Sequence, residues 1–396
     1  VDLDDLAWLL SDDGQLLLAE ATALVDAEPD PLRAQTALRR TTVPGATPDR
    51  TSLALSQAGL RRRAEAKLGA LAARMYFTPD ALEQATRLSV ARHRAARLRA
   101  FEAGTVIDLG CGIGGDLVAA AETGALVAGV DLDPVRVALA RANLDALGLP
   151  GAVQVADATT VDTSPFDVAF ADPARRSARG RSFSVDDWTP PWRFVEGLLR
   201  RDACVKVAPG IPHELVPDDV EAEWVSDHGE VKEAALWSGR LATVRRRATV
   251  LGDGGLATLT EEDDPGAAAV GVRPVGRYLH EPDGAVIRAG LVTAVAAATG
   301  GGLLDPHLAY TTSDEAPATP FARGYEVLEE LPYREKPLRA ALRERGIGRL
   351  EIKKRGVDVV PEQLRKRLAL SGDTEGTLVL TRVAGEGTAL LVRPLR

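Results

Sequence analysis

VIDLGCGIGGD, residues 106–116, is an apolar run through Asp108 and Leu109 followed by a glycine-rich turn. The apolar residues predict a buried strand, and Gly110, Gly112 and Gly114 let the backbone after it approach a ligand closely. Nicotinamide and flavin enzymes place G-x-G-x-x-G in the same strand–turn–helix setting, so the glycines alone leave dinucleotide binding open. Asp108 points elsewhere. Two residues before the first glycine, its carboxylate would repel a pyrophosphate and suits a ligand carrying an ammonium group.

The next segments repeat the pattern. Ala125–Val130 reads as a second strand ending in Asp131, and Pro134 opens a helix running to about Leu147. Ala152–Ala156 is a third strand, ended by Asp157-Ala158, and Phe166–Ala171 a fourth, ended by Asp172-Pro173. Each Asp alone reads as a loop acid or helix cap. Four in register, with helices between, predict an α/β doubly wound sheet with its ligand at the carboxyl ends of the strands. This pattern resembles the class I S-adenosylmethionine-dependent methyltransferases. The resemblance implies a seven-stranded Rossmann-like sheet, its last pair antiparallel, and S-adenosyl-L-methionine as cofactor. That molecule carries an ammonium group, a sulfonium charge and no phosphate. Asp108, Gly110, Gly112 and Gly114 map to its methionine part, Asp131 to the ribose, and Asp157 with Ala158 to the adenine.

At 396 residues, with 45% hydrophobic and 27% charged content, the chain has the length for two or three cored domains. Cys111 and Cys204 fall in predicted core or cofactor segments, and the five histidines show no ligand spacing, so neither a disulfide framework nor a metal is expected. No apolar run approaches the roughly 20 residues that cross a bilayer, and the acidic start does not resemble a signal peptide. A cytoplasmic protein without a membrane partner is the expectation; nothing indicates its oligomeric state.

Net charge is −9, but strongly segregated. Residues 1–30 hold nine acids and no Lys or Arg, residues 31–100 hold fourteen cations against four acids, and residues 321–396 sixteen against eleven. Basic segments of this kind permit a polyanionic partner, although helical arginines are often no more than a solvated face.

Four regions follow. Residues 1–100 read as a helical N-terminal extension, with Thr51 and Thr78 as N-caps and one helix from Pro79 through the basic string Arg92, Arg94, Arg97 and Arg99. Residues 101–251 hold the sheet domain, 252–270 a linker, and 271–396 an α+β domain with a helix at about Asp283–Thr299.

Asp172-Pro173-Ala174-Arg175-Arg176 lies where chemistry is expected. In amino-directed methyltransferases the position resembles (Asp/Asn)-Pro-Pro-aromatic, in which the acid orients the target amine and the ring stacks on the base. Asp172 and Pro173 match; Ala174 replaces the second proline and Arg175 the aromatic. An Arg plane can stack on a base, and Trp188 or Trp192 can supply a ring. Tyr76–Asp80, with Phe77 as a candidate substrate contact, resembles the segment before the core in trimethylguanosine synthase-like RNA guanine-N2 methyltransferases. Over its length the chain is similar to bacterial class I methyltransferases with a C-terminal THUMP-like domain, a likeness carried by residues 276–282, 304–306 and 351–356. There Lys353, Lys354 and Arg355 place three cations at a strand end, suited to an RNA backbone.

The expectation is methylation of a base nitrogen in RNA. A small-molecule methyltransferase and a catalytically weakened cofactor-binding RNA protein stay open, with a nicotinamide enzyme more distant.

Overall fold

The computed structural model describes residues 2–175, 188–316 and 318–395, with only the backbone described at Ala174 and Arg175. Two compact units emerge, Val1–Val220 with Ala235–Thr243, and Glu221–Ala234 with Val244–Arg396.

The first unit opens with helices α1 (Leu3–Leu9), α2 (Asp12–Ala27), α3 (Pro31–Leu38), α4 (Pro48–Leu68), α5 (Pro79–Gln84) and α6 (Leu88–Ala100). Leu6, Leu9, Leu17 and Leu18 bury against Phe77 and Leu82, and the same cluster takes in Ile113 and Leu139. The helices thus share one core with residues of the glycine turn and of the helix after the second strand.

Two helix boundaries differ from the sequence reading. Thr47, not Thr51, caps α4, because Pro48 takes the first helical position and the Thr47 side chain accepts from Arg50 N–H. The helix expected to continue from Pro79 into the arginine string breaks at Ala85, whose ψ of 135° leaves the helical region, and resumes at Leu88. Thr78 caps α5 as expected.

After α6 come β1 (Thr105–Leu109), α7 (Gly115–Glu122), β2 (Leu126–Asp131), α8 (Pro134–Leu147), β3 (Gly151–Val155) and β4 (Val168–Ala171). A two-residue pairing of β5 (Ala174–Arg175) with β6 (Trp188–Thr189) follows, then α9 (Trp192–Leu198) and β7 (Ala203–Val207). β1 lies between β2 and β4, β3 flanks β2, and β7 flanks β4, all parallel. The order therefore reverses beside β1, and a crevice opens there at the carboxyl ends, where doubly wound sheets bind ligands.

Four further strands are β8 (Glu221–Asp227), β9 (Glu230–Ser238), β10 (Arg246–Gly252) and β11 (Gly255–Thr260), so nine strands are hydrogen-bonded in sequence rather than seven. β10 pairs parallel with β8 and antiparallel with β11. Residues expected as a linker from 252 thus begin with a strand: the turn at Gly252–Gly255 folds Leu256–Thr260 back on β10 and buries Leu259.

The remainder of the second unit holds α10 (Ala267–Val270), β12 (Tyr278–Pro282), α11 (Gly284–Ala289), α12 (Val292–Ala298), β13 (Gly302–Leu303), β14 (Thr311–Ser313), β15 (Ala322–Leu331), α13 (Glu335–Glu344), β16 (Ile347–Lys354), α14 (Pro361–Leu368), β17 (Thr374–Val383) and β18 (Glu386–Pro394). Its sheet runs β13-β14-β12-β15-β18-β17-β16, with β16 and β17 parallel. The single helix expected over 283–299 is two, because Gly290 ends α11 in the left-handed region at φ 70°. Both cysteines are free and buried. Among the described residues no helix is long and apolar enough to cross a membrane, and no group of His, Cys, Asp or Glu is arranged to hold a metal.

Candidate active site

β1 delivers Asp108 to the base of the crevice, 3% exposed. Its Oδ1 has no hydrogen-bond partner among the described residues. Burial pushes its carboxyl well above the ordinary 3.8, and Asp116, Asp172 and Asp131 push it the same way, against a downward pull from Arg94.

The turn after β1 is held from two sides. Gly110 and Cys111 donate to Val130 carbonyl oxygen (2.8 and 2.9 Å), and Gly112 donates to Asp131 Oδ2 (3.0 Å). Gly110 and Gly112 have φ of 106° and 55°, and a Cβ on either would meet nothing within 4 Å. Their bare surface faces open space and not protein. Gly114 differs: at φ 81° it precedes α7, and a Cβ there would sit 3.3 Å from Ala140 Cβ. A side-chain-free turn over a buried carboxylate with an unpartnered oxygen fits a cofactor that carries an ammonium group.

Asp131 accepts from Gly112 N–H through one oxygen and Asp133 N–H through the other (2.9 Å). Asp157 is exposed and accepts from Thr159 N–H (2.9 Å) and Oγ1 (2.7 Å), bonds that hold its carboxyl below the usual range. Ala158 is half-buried beside it.

Around Asp108 runs a chain of polar contacts that motif reading missed. Arg94, 3% exposed on α6, pairs with Asp116 in the first turn of α7 and lies 4.6 Å over the Phe170 ring. Thr86, in the break between α5 and α6, donates to Asp116 Oδ2 (3.1 Å) and accepts from Lys206 Nζ (3.3 Å). Lys206 also donates to Asp172 Oδ2 (2.5 Å). The β4–β7 register, Ala171 opposite Val205, sets Asp172 beside Lys206. A signal existed: Lys206 is the one charged residue in the strand ACVKV. Four carboxylates against two cations leave the crevice with excess negative charge, which favours a cationic ligand.

The other sequence-predicted residues divide. Pro173 is buried next to Asp172. The Arg175 side chain and the whole of Arg176 lie outside the described residues. Phe77 is fully buried in the helical core and offers no surface for a base. Trp188 and Trp192 are 2% and 8% exposed and pack edge to face, centroids 5.2 Å apart. In the second unit Lys353 donates to Glu281 Oε2 (3.0 Å), while Lys354 is exposed. Arg355 lies 5.3 Å over the Tyr310 ring. Three of the α6 arginines already have partners within the protein, although of these Arg92 is exposed and only Arg94 is buried. Arg92 forks onto Glu122, Arg94 meets Asp116, and Arg97 covers the Trp237 ring and donates to Leu241 carbonyl oxygen.

Residues 106–176 match the family described as a methyltransferase domain, residues 322–394 the THUMP domain-like family, and residues 2–64 a domain of unknown function. An S-adenosylmethionine-dependent methyltransferase of Mycobacterium tuberculosis, itself uncharacterized, is 42% identical over 353 residues, spanning 85% of this chain and 95% of the relative. A Porphyromonas gingivalis W83 protein solved as a candidate methyltransferase superposes with a TM-score of 0.73 at 22% identity over 96% of this chain and 99% of that one, a likeness of fold. The ribosomal protein L11 methyltransferase of Dechloromonas aromatica is 46% identical over 130 residues, 31% of this chain and 43% of that protein.

The fold and crevice are those of a class I methyltransferase. The chain belongs to the family of S-adenosylmethionine-dependent methyltransferases that includes the mycobacterial protein, and S-adenosyl-L-methionine is its cofactor.

Proposed function

We propose that the protein methylates a base nitrogen in RNA. The observation that carries this reading is the Asp172-Pro173 turn, at the carboxyl end of β4 and tied through Lys206 and Thr86 to the polar chain around Asp108. The THUMP domain-like match over 322–394 supports RNA as the class of substrate. The likeness of Tyr76–Asp80 to trimethylguanosine synthase-like enzymes favours an exocyclic amino group such as guanine N2. In support, Asn143 joins that segment to the glycine turn, accepting from Tyr76 N–H (2.6 Å) and donating to Ile113 carbonyl oxygen (2.9 Å).

Asp108 would hold the ammonium of the cofactor, with Gly110, Gly112 and Gly114 giving its methionine part close access to backbone. Asp131 would take the ribose hydroxyls on the lone pairs its two backbone donors leave, and Asp157 with Ala158 would border the adenine. Bound S-adenosyl-L-methionine supplies a methyl group so electrophilic that placement of the acceptor provides most of the rate. Asp172 accepts an N–H of the target, turns its lone pair toward the crevice, and can take the proton released on alkylation. Lys206 fixes the carboxylate from the opposite side. Pro173 would shape the turn, and Arg175, next in the motif after Ala174, is the proposed partner of the base; Trp188 and Trp192, buried edge to face, would act as packing and not as stacking rings. In the second unit the exposed Lys354 and the stacked Arg355 would contact RNA phosphates, with Lys353 holding the strand end to Glu281.

Transfer of labelled methyl to total RNA, with Asp172→Ala as control, tests the reading. Labelling of a metabolite extract without labelling of RNA would contradict it.

A further inference from the structure

Two open recesses in the second unit meet at Ala322, Arg323 and Lys353. The first is polar, and carries three carboxylates. Asp253 is bonded to His228 Nε2 (3.2 Å), Glu281 to Lys353 and to the Tyr325 hydroxyl (3.0 Å each), and Asp283 accepts from Ala285 N–H (2.8 Å) at the start of α11. Every acid of the recess is therefore engaged by the protein. Arg323 and Arg355 are not: among the described residues neither guanidinium has a hydrogen-bond or ion-pair partner, and Arg355 lies over the Tyr310 ring. The Arg323 guanidinium lies against Gly229. A Cβ on Gly229, at φ 77°, would fall 2.8 Å from Arg323 Nη2.

The second recess, of about 470 Å³, is lined by Ala318, Pro394 and Leu395 and by the polar His280, Tyr325 and Glu351, beside the same Arg323. That size lies within the 300–1,000 Å³ usual for small-ligand sites. Two guanidiniums without protein partners, in a recess whose acids are already hydrogen-bonded, favour an anion, and planar forked donors match phosphate oxygens. The mixed lining of the neighbouring recess suits a base and sugar, which present apolar faces and hydrogen-bonding edges together.

We propose that the second unit is a nucleotide-binding module, with a terminal phosphate monoester, not an internal phosphodiester, held by Arg323 and Arg355 and the attached nucleoside in the adjoining recess. This deepens the RNA reading and rests on it for the source of the phosphate; a free nucleotide offers the same chemistry. The full chain is titrated, without methyl donor, against a 5′-phosphorylated tetraribonucleotide, its 5′-hydroxyl counterpart, adenosine monophosphate and inorganic phosphate.

The phosphorylated oligomer is expected to bind at least tenfold tighter than the hydroxyl form. The combined substitution Arg323→Gln, Arg355→Gln should cost at least tenfold in that affinity and flatten the salt dependence. Binding of S-adenosylhomocysteine, at the other unit, should stay unchanged. Arg323→Gln alone, at an exposed and unpartnered residue, provides a variant that keeps the fold, and at least a threefold loss is expected. Tighter binding of the monophosphate than of either oligomer would assign the site to a free nucleotide and keep the proposal. Equal affinity for phosphorylated and hydroxyl oligomers, or wild-type affinity in the double variant, overturns it. Because no methyl transfer is involved, that result would leave the RNA methylation reading to its own assay.

Discussion

Lys206 Nζ donates to Asp172 Oδ2 across 2.5 Å, joining the ends of adjacent parallel strands at the crevice. Both are partly shielded, with side chains 17% and 36% exposed. The ammonium occupies one carboxylate oxygen, and under the proposed mechanism Oδ1 would take the target N–H. It also lowers the negative charge that a cationic cofactor meets. These two effects act in opposite directions on binding and on transfer.

Replacing Lys206 by Met should therefore separate them. S-adenosylhomocysteine should bind as tightly as before or tighter, while kcat for methyl transfer to RNA falls about tenfold through misorientation of Asp172. In a double-mutant cycle with Asp172→Asn the two losses should be non-additive, with a coupling of about 1–3 kcal/mol. Additive losses would show that the pair does not act as a unit.

Asp108 links pH to both stability and cofactor affinity. Burial, reinforced by nearby carboxylates, raises its carboxyl well above 3.8. In the cofactor-free protein the folded state then holds this proton to higher pH than the unfolded chain does. The associated stability is full below the unfolded value and is lost as pH rises through the raised one. Cofactor binding has the opposite slope, because an ammonium ligand favours the ionised carboxylate. S-adenosylhomocysteine affinity should rise with pH across this window, with release of a proton, and Asp108→Asn should remove the pH dependence along with most of the affinity. Calorimetry in buffers of different ionisation enthalpy reads the proton directly.

The glycines of the turn should respond unequally. A side chain at Gly112 is strained at φ 55°, costing about 1–2 kcal/mol, and projects into the open space over the turn. Gly112→Ala is expected to fold and to lose at least tenfold in S-adenosylhomocysteine affinity. Gly114→Ala presses on Ala140 and should lower thermal stability more than it lowers that affinity. The reverse ranking would move the cofactor away from Gly112.

Arg94 is a structural cation despite its place in a basic string. Its pair with Asp116 is buried, so Arg94→Met should cost about 3 kcal/mol in urea unfolding by leaving Asp116 beside Asp108 without its counter-ion. Exposed Arg99, one turn and a half along the same helix, should change stability by less than about 0.5 kcal/mol as Ala. Equal effects would mean that the α6 arginines form one solvated face.

The sequence disclosed what local chemistry controls. Strand ends closed by Asp, the glycine turn and the Pro134 helix start are each set by residues within a few positions of one another, and each is found close to where it was expected. Charge was less legible. The fourteen cations of residues 31–100 suggest a polyanion surface, yet Arg92, Arg94 and Arg97 are consumed by Glu122, Asp116 and Trp237, partners from 22 to 140 residues away. The Thr86 break escaped notice for a related reason: apolar spacing runs on through it, and its partners Asp116 and Lys206 come from other elements. Phe77 and Lys353 show the same limit, since a motif gives position along the chain but not whether a side chain is buried or already paired.

Methyl transfer to RNA at Asp172 is read most directly by incorporation of tritium from methyl-labelled S-adenosyl-L-methionine into total RNA by the protein. The wild type should label an RNA fraction, and digestion should place the label on a base nitrogen. Asp172→Ala should retain S-adenosylhomocysteine binding and lose transfer by at least a hundredfold. Wild-type labelling of a metabolite fraction alone, or undiminished RNA labelling by Asp172→Ala, would rule out RNA methylation at Asp172.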